Sequence, residues 1–243
     1  MARAEKKTKK KNNKRIAARR RALRWIRRIS LGIVTLLVFA ILLFAFLNPP
    51  TTAYMFAEAR RNGGVEQEWV SLENVAPVMA RSVVAAEDAN FCLHWGLDVN
   101  AIQSAIEDGS GRGASTISQQ VVKNVYLWHG RSWFRKSLEA VLTPAVEAVW
   151  TKRRIVEVYL NVAEFDRGIF GVQAAARHYF GVDARNLSAV QAARLAAILP
   201  DPKGRSASNP SEFVRQRAAA IMDGAETIRA DGRATCFESS GRD

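Results

Sequence analysis

The sequence predicts a mostly α-helical domain preceded by one transmembrane helix. Three observations carry this expectation. Residues Ile29–Leu47 form nineteen positions without a charge. Helix-start signals recur from Asn74 to the last segment, with no stretch that alternates like a strand and no internal repeat. Hydrophobic residues make up 48% of the 243 positions, enough for a packed core.

Within the apolar run only Ser30 and Thr35 are clearly polar. At ~1.5 Å per residue it reaches roughly 28 Å, close to the ~30 Å of a hydrocarbon core. A soluble core helix would show a polar face here. A cleaved signal peptide would have a shorter apolar stretch and a small-residue site after it. This run ends instead in Asn48-Pro49-Pro50, as an uncleaved anchor would.

The formal net charge of +13 suggests nucleic acid at first sight. Its distribution argues otherwise. Residues 1–28 hold 14 Lys and Arg against Glu5 alone, and the remaining 215 residues hold 22 bases and 22 acids. The excess belongs to a basic tail that stays in the cytoplasm by the positive-inside rule and can rest on anionic lipid. Residues 48–243 then face outward, and no nucleic-acid partner is expected.

Pro49-Pro50-Thr51-Thr52 reads as a stiff exit, followed by a connector with a turn at Arg60-Arg61-Asn62-Gly63-Gly64. Asn74 is expected to cap a helix with Pro77 in its first turn, ending near Asp88. Asp98 is expected to cap Val99–Asp108. Thr116-x-x-Gln119 and Ser188-x-x-Gln191 read as capping boxes, the second ahead of a helix that stops at Pro200. Ser132 opens a long helix bent at Pro144, Lys152–Asn161 forms another, and Asn209-Pro210 opens the last. Gly109-Ser110-Gly111-Arg112-Gly113 has the composition of a mobile loop that covers a ligand.

Cys92 and Cys236 lie 144 positions apart. Two cysteines make no disulfide framework, so they are expected to stay unpaired thiols even where an oxidising compartment permits a bond. His94, His129 and His178 show no metal-ligand spacing, and no protein-held metal is expected.

Two acids draw attention. Glu87 ends the apolar stretch Val83-Val84-Ala85-Ala86, where desolvation would raise its pKa and suit it to acid–base work. Glu139 lies one turn from Arg135 and Lys136. Between Lys123 and Arg154 stand seven bases, Lys123, Arg131, Arg135, Lys136, Lys152, Arg153 and Arg154, against Glu139 and Glu147. Such a patch in a neutral domain fits phosphate oxygens. Outside the membrane no ATP is at hand, so the phosphate must arrive on the substrate. That points to a lipid-linked diphosphate sugar, whose departing charge the patch would stabilise.

These residues carry a resemblance. Glu87-Asp88-x-x-Phe91-x-x-His94-x-Gly96, Gly113-Ala114-Ser115-Thr116-Ile117-Ser118-Gln119-Gln120 with Lys123-Asn124, and Arg135-Lys136-x-x-Glu139 stand in order. They are followed by the segment from Lys152-Arg153-Arg154 to Asn161, then by Arg167-Gly168 through Tyr179-Phe180-Gly181. The sequence resembles family 51 glycosyltransferases, the peptidoglycan polymerases, and among them the monofunctional biosynthetic transglycosylases. Five motifs cover residues 87–181, and general similarity runs from about 50 to 230. Ala114 replaces a usual Gly and Ser118 a usual Thr, and neither removes a catalytic group.

The resemblance implies a lysozyme-like α fold with a smaller membrane-proximal lobe, and an inverting reaction. A growing lipid-linked chain is the donor and lipid II the acceptor, giving β-1,4-linked glycan and undecaprenyl diphosphate. It implies Glu87 as general base and Glu139 beside the donor diphosphate as the second catalytic acid. Lys123, Arg135, Lys136 and Lys152 would bind phosphates, with Thr116, Gln120 and Asn124 lining the site. Glu157, Asn161 and the stretch from Gly168 to Gly181 are assigned to structure. A divalent ion, Mg or Mn, is admitted only through the substrate diphosphate. The implied place is the bacterial inner membrane, single-pass, with the catalytic domain periplasmic and a cell-wall synthesis complex as partner. The chain then divides into a tail (1–28), a span (29–47), a periplasmic connector (48–73), the glycosyltransferase domain (74–233) and a C-terminal tail (234–243). No Ser-x-x-Lys or Lys-Thr-Gly occurs, so no transpeptidase module is expected. The alternative is a lysozyme-like enzyme that cleaves peptidoglycan, which would need an acid but no cationic cradle. A scaffold acting only through its basic arm is the second.

Overall fold

The computed structural model describes residues 2–107, 115–130 and 132–238. Residues 1–47 and 48–243 form two compact units. In the first, one helix, α1, spans Ala2–Phe44. Its part Arg19–Phe44 is long and apolar enough to cross a membrane. Ile33, Leu36 and Phe39 stand exposed on it, as core-helix residues would not.

The second unit is mostly helical. Its helices are α2 (Ala53–Asn62), α3 (Pro77–Glu87), α4 (Val99–Glu107), α5 (Ile117–Tyr126), α6 (Trp133–Val149), α7 (Lys152–Val162), α8 (Val172–Phe180), α9 (Ala189–Ile198) and α10 (Glu212–Ala230). The expected caps are in place. Asp98 Oδ1 accepts from the Ala101 N–H at 2.9 Å, and Thr116 and Ser188 each close a reciprocal capping box. Ser132 Oγ accepts from the Arg135 N–H, and α6 continues through Pro144. Two starts differ from expectation. Asn74 ends a short 3-10 turn rather than capping α3, which starts at Pro77. Ser211, not Asn209, caps α10.

Helices α3, α9 and α10 pack against one another, and α5 packs between α6 and α7. Phe91, Ile117, Ile155, Tyr159, Phe165, Leu195 and Phe237 are among the fully buried side chains. A small sheet, ordered β1-β3-β2, was not legible in the sequence. Its strands β1 (Glu66–Gln67), β2 (Glu164–Asp166) and β3 (Ile169–Phe170) are too short to show alternation. Gly168 precedes β3 at φ 75°, a conformation that suits glycine.

Residues 48–73 do more than connect. β1 pairs with β3, and α2 packs on α5. Asn161 grips Val70 through both amide atoms, and Glu157 accepts from the Leu72 N–H at 3.0 Å. The C-terminal segment is likewise part of the fold. Contrary to expectation, Cys92 and Cys236 are joined by a disulfide, with Cα atoms 5.7 Å apart. Counting cysteines could not reveal this, because tertiary packing sets the pairing. Phe237 packs on Phe91, Arg153 donates to the Phe237 carbonyl, and Arg81 pairs with Glu238. Reduction is expected to lower stability by about 2–4 kcal/mol, since the bond closes a long loop. Thermal melts with and without a reductant check this, and unchanged melting would contradict it.

Candidate active site

Glu87 is the last residue of α3, and its neighbours come from three other helices. Gln120 of α5 donates from Nε2 to Glu87 Oε2 at 2.9 Å. The Tyr159 hydroxyl of α7 donates to Gln120 Oε1 at 3.2 Å, which fixes the amide's orientation. Glu87 Oε1 is buried without a hydrogen-bond partner. Burial pushes the Glu87 carboxyl above its ordinary value, against the Gln120 hydrogen bond and the charges of Arg217 and Lys123, and Asp88 adds to the rise.

Asp88, one residue on, holds the scaffold. Its Oδ2 accepts from the Ile117 N–H at 3.0 Å, and its Oδ1 lies 2.8 Å from His94 Nε2. This ties the end of α3 to the first turn of α5, where a carboxylate is favoured. Asp88, His94 and Asp98 bring potential metal-ligand atoms within 4.8 Å of one another, a gathering the sequence spacing did not reveal. Hydrogen bonds already employ the carboxylates, since Asp98 receives Ala101 N and Asn90 Nδ2.

Glu87 and Gln120 line two different cavities. One, of about 270 Å³, is lined by Glu87, Asp88, Asn90, Asp98, Ser115 and Thr116 among others. The other, of about 240 Å³, is lined by Gln120, Lys123, Asn124, Tyr159, Tyr54, His129 and Glu164 among others. Asn124 Oδ1, like Glu87 Oε1, is a buried acceptor without a partner. Lys123 is held below the ordinary lysine value by burial, while Glu139 and Glu87 pull it back up. Its charge thus acts between the two acids.

Glu139 is buried on α6 under two cations. Arg135 Nη1 reaches its Oε2 at 2.5 Å, and the Lys136 ammonium contacts its Oε1. Lys136 Nζ also donates to Ser115 Oγ at 2.9 Å. Ser115 belongs to the wall of the Glu87 cavity, so its hydroxyl links that cavity to Lys136, while Arg135 and Lys136 themselves line a neighbouring cavity with Ser132 and Trp133.

Of the sequence-predicted site residues, the structure gathers Glu87, Gln120, Lys123, Asn124, Arg135, Lys136 and Glu139 here. Thr116 lines the same cavity, but its hydroxyl is spent on the Gln119 N–H and on the Gly96 carbonyl at 2.6 Å. Lys152 is committed elsewhere. Its ammonium lies 2.8 Å from Glu147 Oε1, 2.8 Å from the His94 carbonyl and 4.3 Å from the Phe91 ring centre. Ser118 donates to the same Glu147 oxygen at 2.5 Å. Gly96 sits against this pair at φ 82°, where an added Cβ would come within 2.7 Å of Thr143 Cγ2 and 2.9 Å of Glu147 Cγ. The loop Gly109–Gly113, Ala114 and Arg131 lie outside the described residues.

Sequence reasoning overlooked Ser115, Tyr54, His129 and Arg217. Ser115 stood inside a quoted motif but bears no charge. Tyr54 and His129 stack with ring centres 3.5 Å apart although 75 positions separate them, and only the fold brings them together. Arg217 looks like any base on an amphipathic helix.

Comparison with known proteins gives the chain's family. The family model described as Transglycosylase matches residues 55–226. A Jannaschia sp. (strain CCS1) protein named biosynthetic peptidoglycan transglycosylase is 55% identical over 237 residues, covering 98% of this chain and 99% of that protein. Proteins of the same name from Yersinia pseudotuberculosis serotype O:3 (strain YPIII) and Pseudomonas putida (strain GB-1) are each 47% identical. The first covers 82% of this chain and 87% of its own length, the second 83% and 86%. The chain belongs to the transglycosylase family.

Proposed function

We propose that this peptidoglycan glycosyltransferase joins lipid II to a growing lipid-linked glycan through Glu87 and the cations around Glu139. The observation that carries the reading is the unpartnered, buried Oε1 of Glu87, beside a cavity walled by Ser115, whose hydroxyl accepts from Lys136. The acceptor's 4-hydroxyl gives its proton to that oxygen as it attacks the donor's anomeric carbon. The bond from that carbon to the diphosphate breaks on the opposite side, which inverts the centre. The negative charge that builds on the departing diphosphate is met by Lys136, Arg135 and Lys123. Asn124 offers a hydrogen-bonding group to the sugar. Lys152 serves the phosphates only indirectly, by fixing α7 against the His94 loop.

A Mg or Mn ion would take oxygens from the diphosphate. Glu139, the acid the resemblance puts there, has both oxygens engaged by Arg135 and Lys136. The alternative of glycan cleavage lacks a use for the paired cations. The test is a gel of products from labelled lipid II, with finished glycan as the other substrate. Polymer from lipid II supports the reading, and fragments from glycan without polymer refute it.

Arg135→Ala and Lys136→Ala are each expected to raise the donor KM about tenfold or more with a smaller change for the acceptor. Separate donor and acceptor titrations check this, and equal shifts count against the phosphate role.

The topology we infer is single-pass, in a bacterial inner membrane, with a cytoplasmic N-terminus and a periplasmic catalytic domain. The basic residues before the apolar helix support it, and so does the disulfide, which suits an oxidising compartment. A cell-wall synthesis complex is the partner we expect beyond the lipid substrates.

A further inference from the structure

The amide of Gln120 has two ends, and the structure employs both. Its Nε2 donates to Glu87 Oε2 at 2.9 Å, and its Oε1 accepts from the Tyr159 hydroxyl at 3.2 Å. Tyr159 is buried on α7, a helix whose Ile155, Val156, Val158 and Leu160 are buried too. Burial holds its pKa well above the ordinary tyrosine value, and the charge of Glu87 adds to the rise. The phenol therefore keeps its proton wherever the enzyme works. A phenol carries one such proton, and this one is given to Gln120. The carbonyl end of the amide is thus fixed on Tyr159 and its N–H end on Glu87. Turned about, the amide would set its oxygen against Glu87 Oε2 and its NH2 group against the phenol's own proton. Two oxygens meet favourably in that contact only when the carboxyl is protonated. The hydrogen bond on Oε2 also leaves Oε1 as the oxygen without a partner, open to an incoming hydroxyl.

We propose that Tyr159 is a positioning residue for the polymerisation step: by clamping the Gln120 amide it keeps an N–H group on the Glu87 carboxylate. The base is thereby held ready for the acceptor's proton. The proposal rests on the reading of Glu87 as that base. The groups that bear on Glu87 are Asp88 from its own segment, Gln120 and Lys123 from α5, Tyr159 from α7 and Arg217 from α10. Burial and Asp88 favour the protonated acid, and the Gln120 hydrogen bond opposes them more than Arg217 or Lys123 does. Without the phenol hydroxyl the amide is free to rotate. Its N–H then leaves Glu87 for part of the time, and the proton affinity of the carboxylate rises further. The base is lost at a higher pH than in the parent, so the acidic limb of the rate profile moves upward in pH.

The test is the pH dependence of kcat and KM for lipid II polymerisation by the full chain in detergent. The variants are Tyr159→Phe, Gln120→Met, the two combined, Tyr179→Phe and Glu87→Gln. Phenylalanine keeps the buried ring of Tyr159 and removes only the hydroxyl. Tyr179, whose hydroxyl donates to the Phe165 carbonyl, is the control for losing a buried tyrosine hydroxyl elsewhere. Tyr159→Phe is expected to lose about threefold or more in kcat on the acidic side, with KM within about twofold of the parent. Gln120→Met is expected to displace the limb in the same direction by at least as much, and Tyr179→Phe to leave it in place. Since Tyr159 acts through Gln120, adding Tyr159→Phe to Gln120→Met is expected to displace the limb no further. The substrate's own ionisation is common to every variant. An unmoved limb in Tyr159→Phe overturns the proposal, whether kcat falls by one factor at every pH or KM alone rises. A further displacement in the combined variant overturns it too. Should circular dichroism show Tyr159→Phe to be unfolded, Gln120→Met decides, a displaced limb supporting the proposal and an unmoved one overturning it. A Glu87→Gln enzyme that keeps the parent's rate and limb removes the base itself and the proposal with it. An inactive Glu87→Gln beside an unshifted Tyr159→Phe removes only the role of Tyr159.

Discussion

Glu87→Gln is expected to lower turnover by about 10²–10⁴-fold without weakening the fold. The substitution keeps the side chain's shape. Gln120 is oriented by Tyr159, so its Nε2 can still donate to the new amide oxygen. What changes is the second position, where an N–H group replaces the oxygen that accepts the hydroxyl proton. Stability should move the other way. Burial raises the Glu87 pKa in the fold, so its favourable contribution is complete below the unfolded carboxyl pKa and is lost as pH rises through the folded value. At neutral pH the carboxylate is a burden that glutamine lacks. The variant's melting temperature should equal or exceed the parent's near pH 7, with the gap closing in acid. Rate assays and melts at two pH values check both halves. A near-normal rate, or a melting temperature that falls at neutral pH, would count against the assignment.

Lys152→Met should act through stability rather than through substrate affinity. The Glu147 side chain is 2% exposed and that of Lys152 15%. Methionine would leave a buried carboxylate facing Ser118 without its counter-charge, a loss of about 3–5 kcal/mol. For a domain of this size that lowers melting by roughly ten degrees. Pairing it with Glu147→Gln should restore much of the loss, because the stranded charge is gone. Melts of both single variants and the double variant decide. If Lys152→Met melts like the parent and raises only the donor KM, the ammonium binds phosphate after all.

Much of this was legible in the sequence. Residues that act through local spacing could be read, such as the capping boxes at Thr116 and Ser188, and Arg135 and Lys136 one turn from Glu139. The apolar end of α3 marked Glu87 as desolvated. What could not be read depends on contacts far apart in the chain. Lys152 looked like one more cation in a basic run, yet the break between α6 and α7 turns it toward Glu147. The β1–β3 pairing joins residues about a hundred positions apart through strands of two residues each. The disulfide and Arg217 are of the same kind, since α10 must first pack on α3.

The Cys92–Cys236 bond also sets an order of events during synthesis. Cys92 emerges from the ribosome long before Cys236, with most of the domain between them. The stretch behind Glu87 therefore receives its final tether only after nearly the whole polypeptide has been synthesised. A chain stalled or clipped before that point keeps every residue proposed for the chemistry while its first motif hangs untied, so completion of the chain and maturation are coupled by one covalent step.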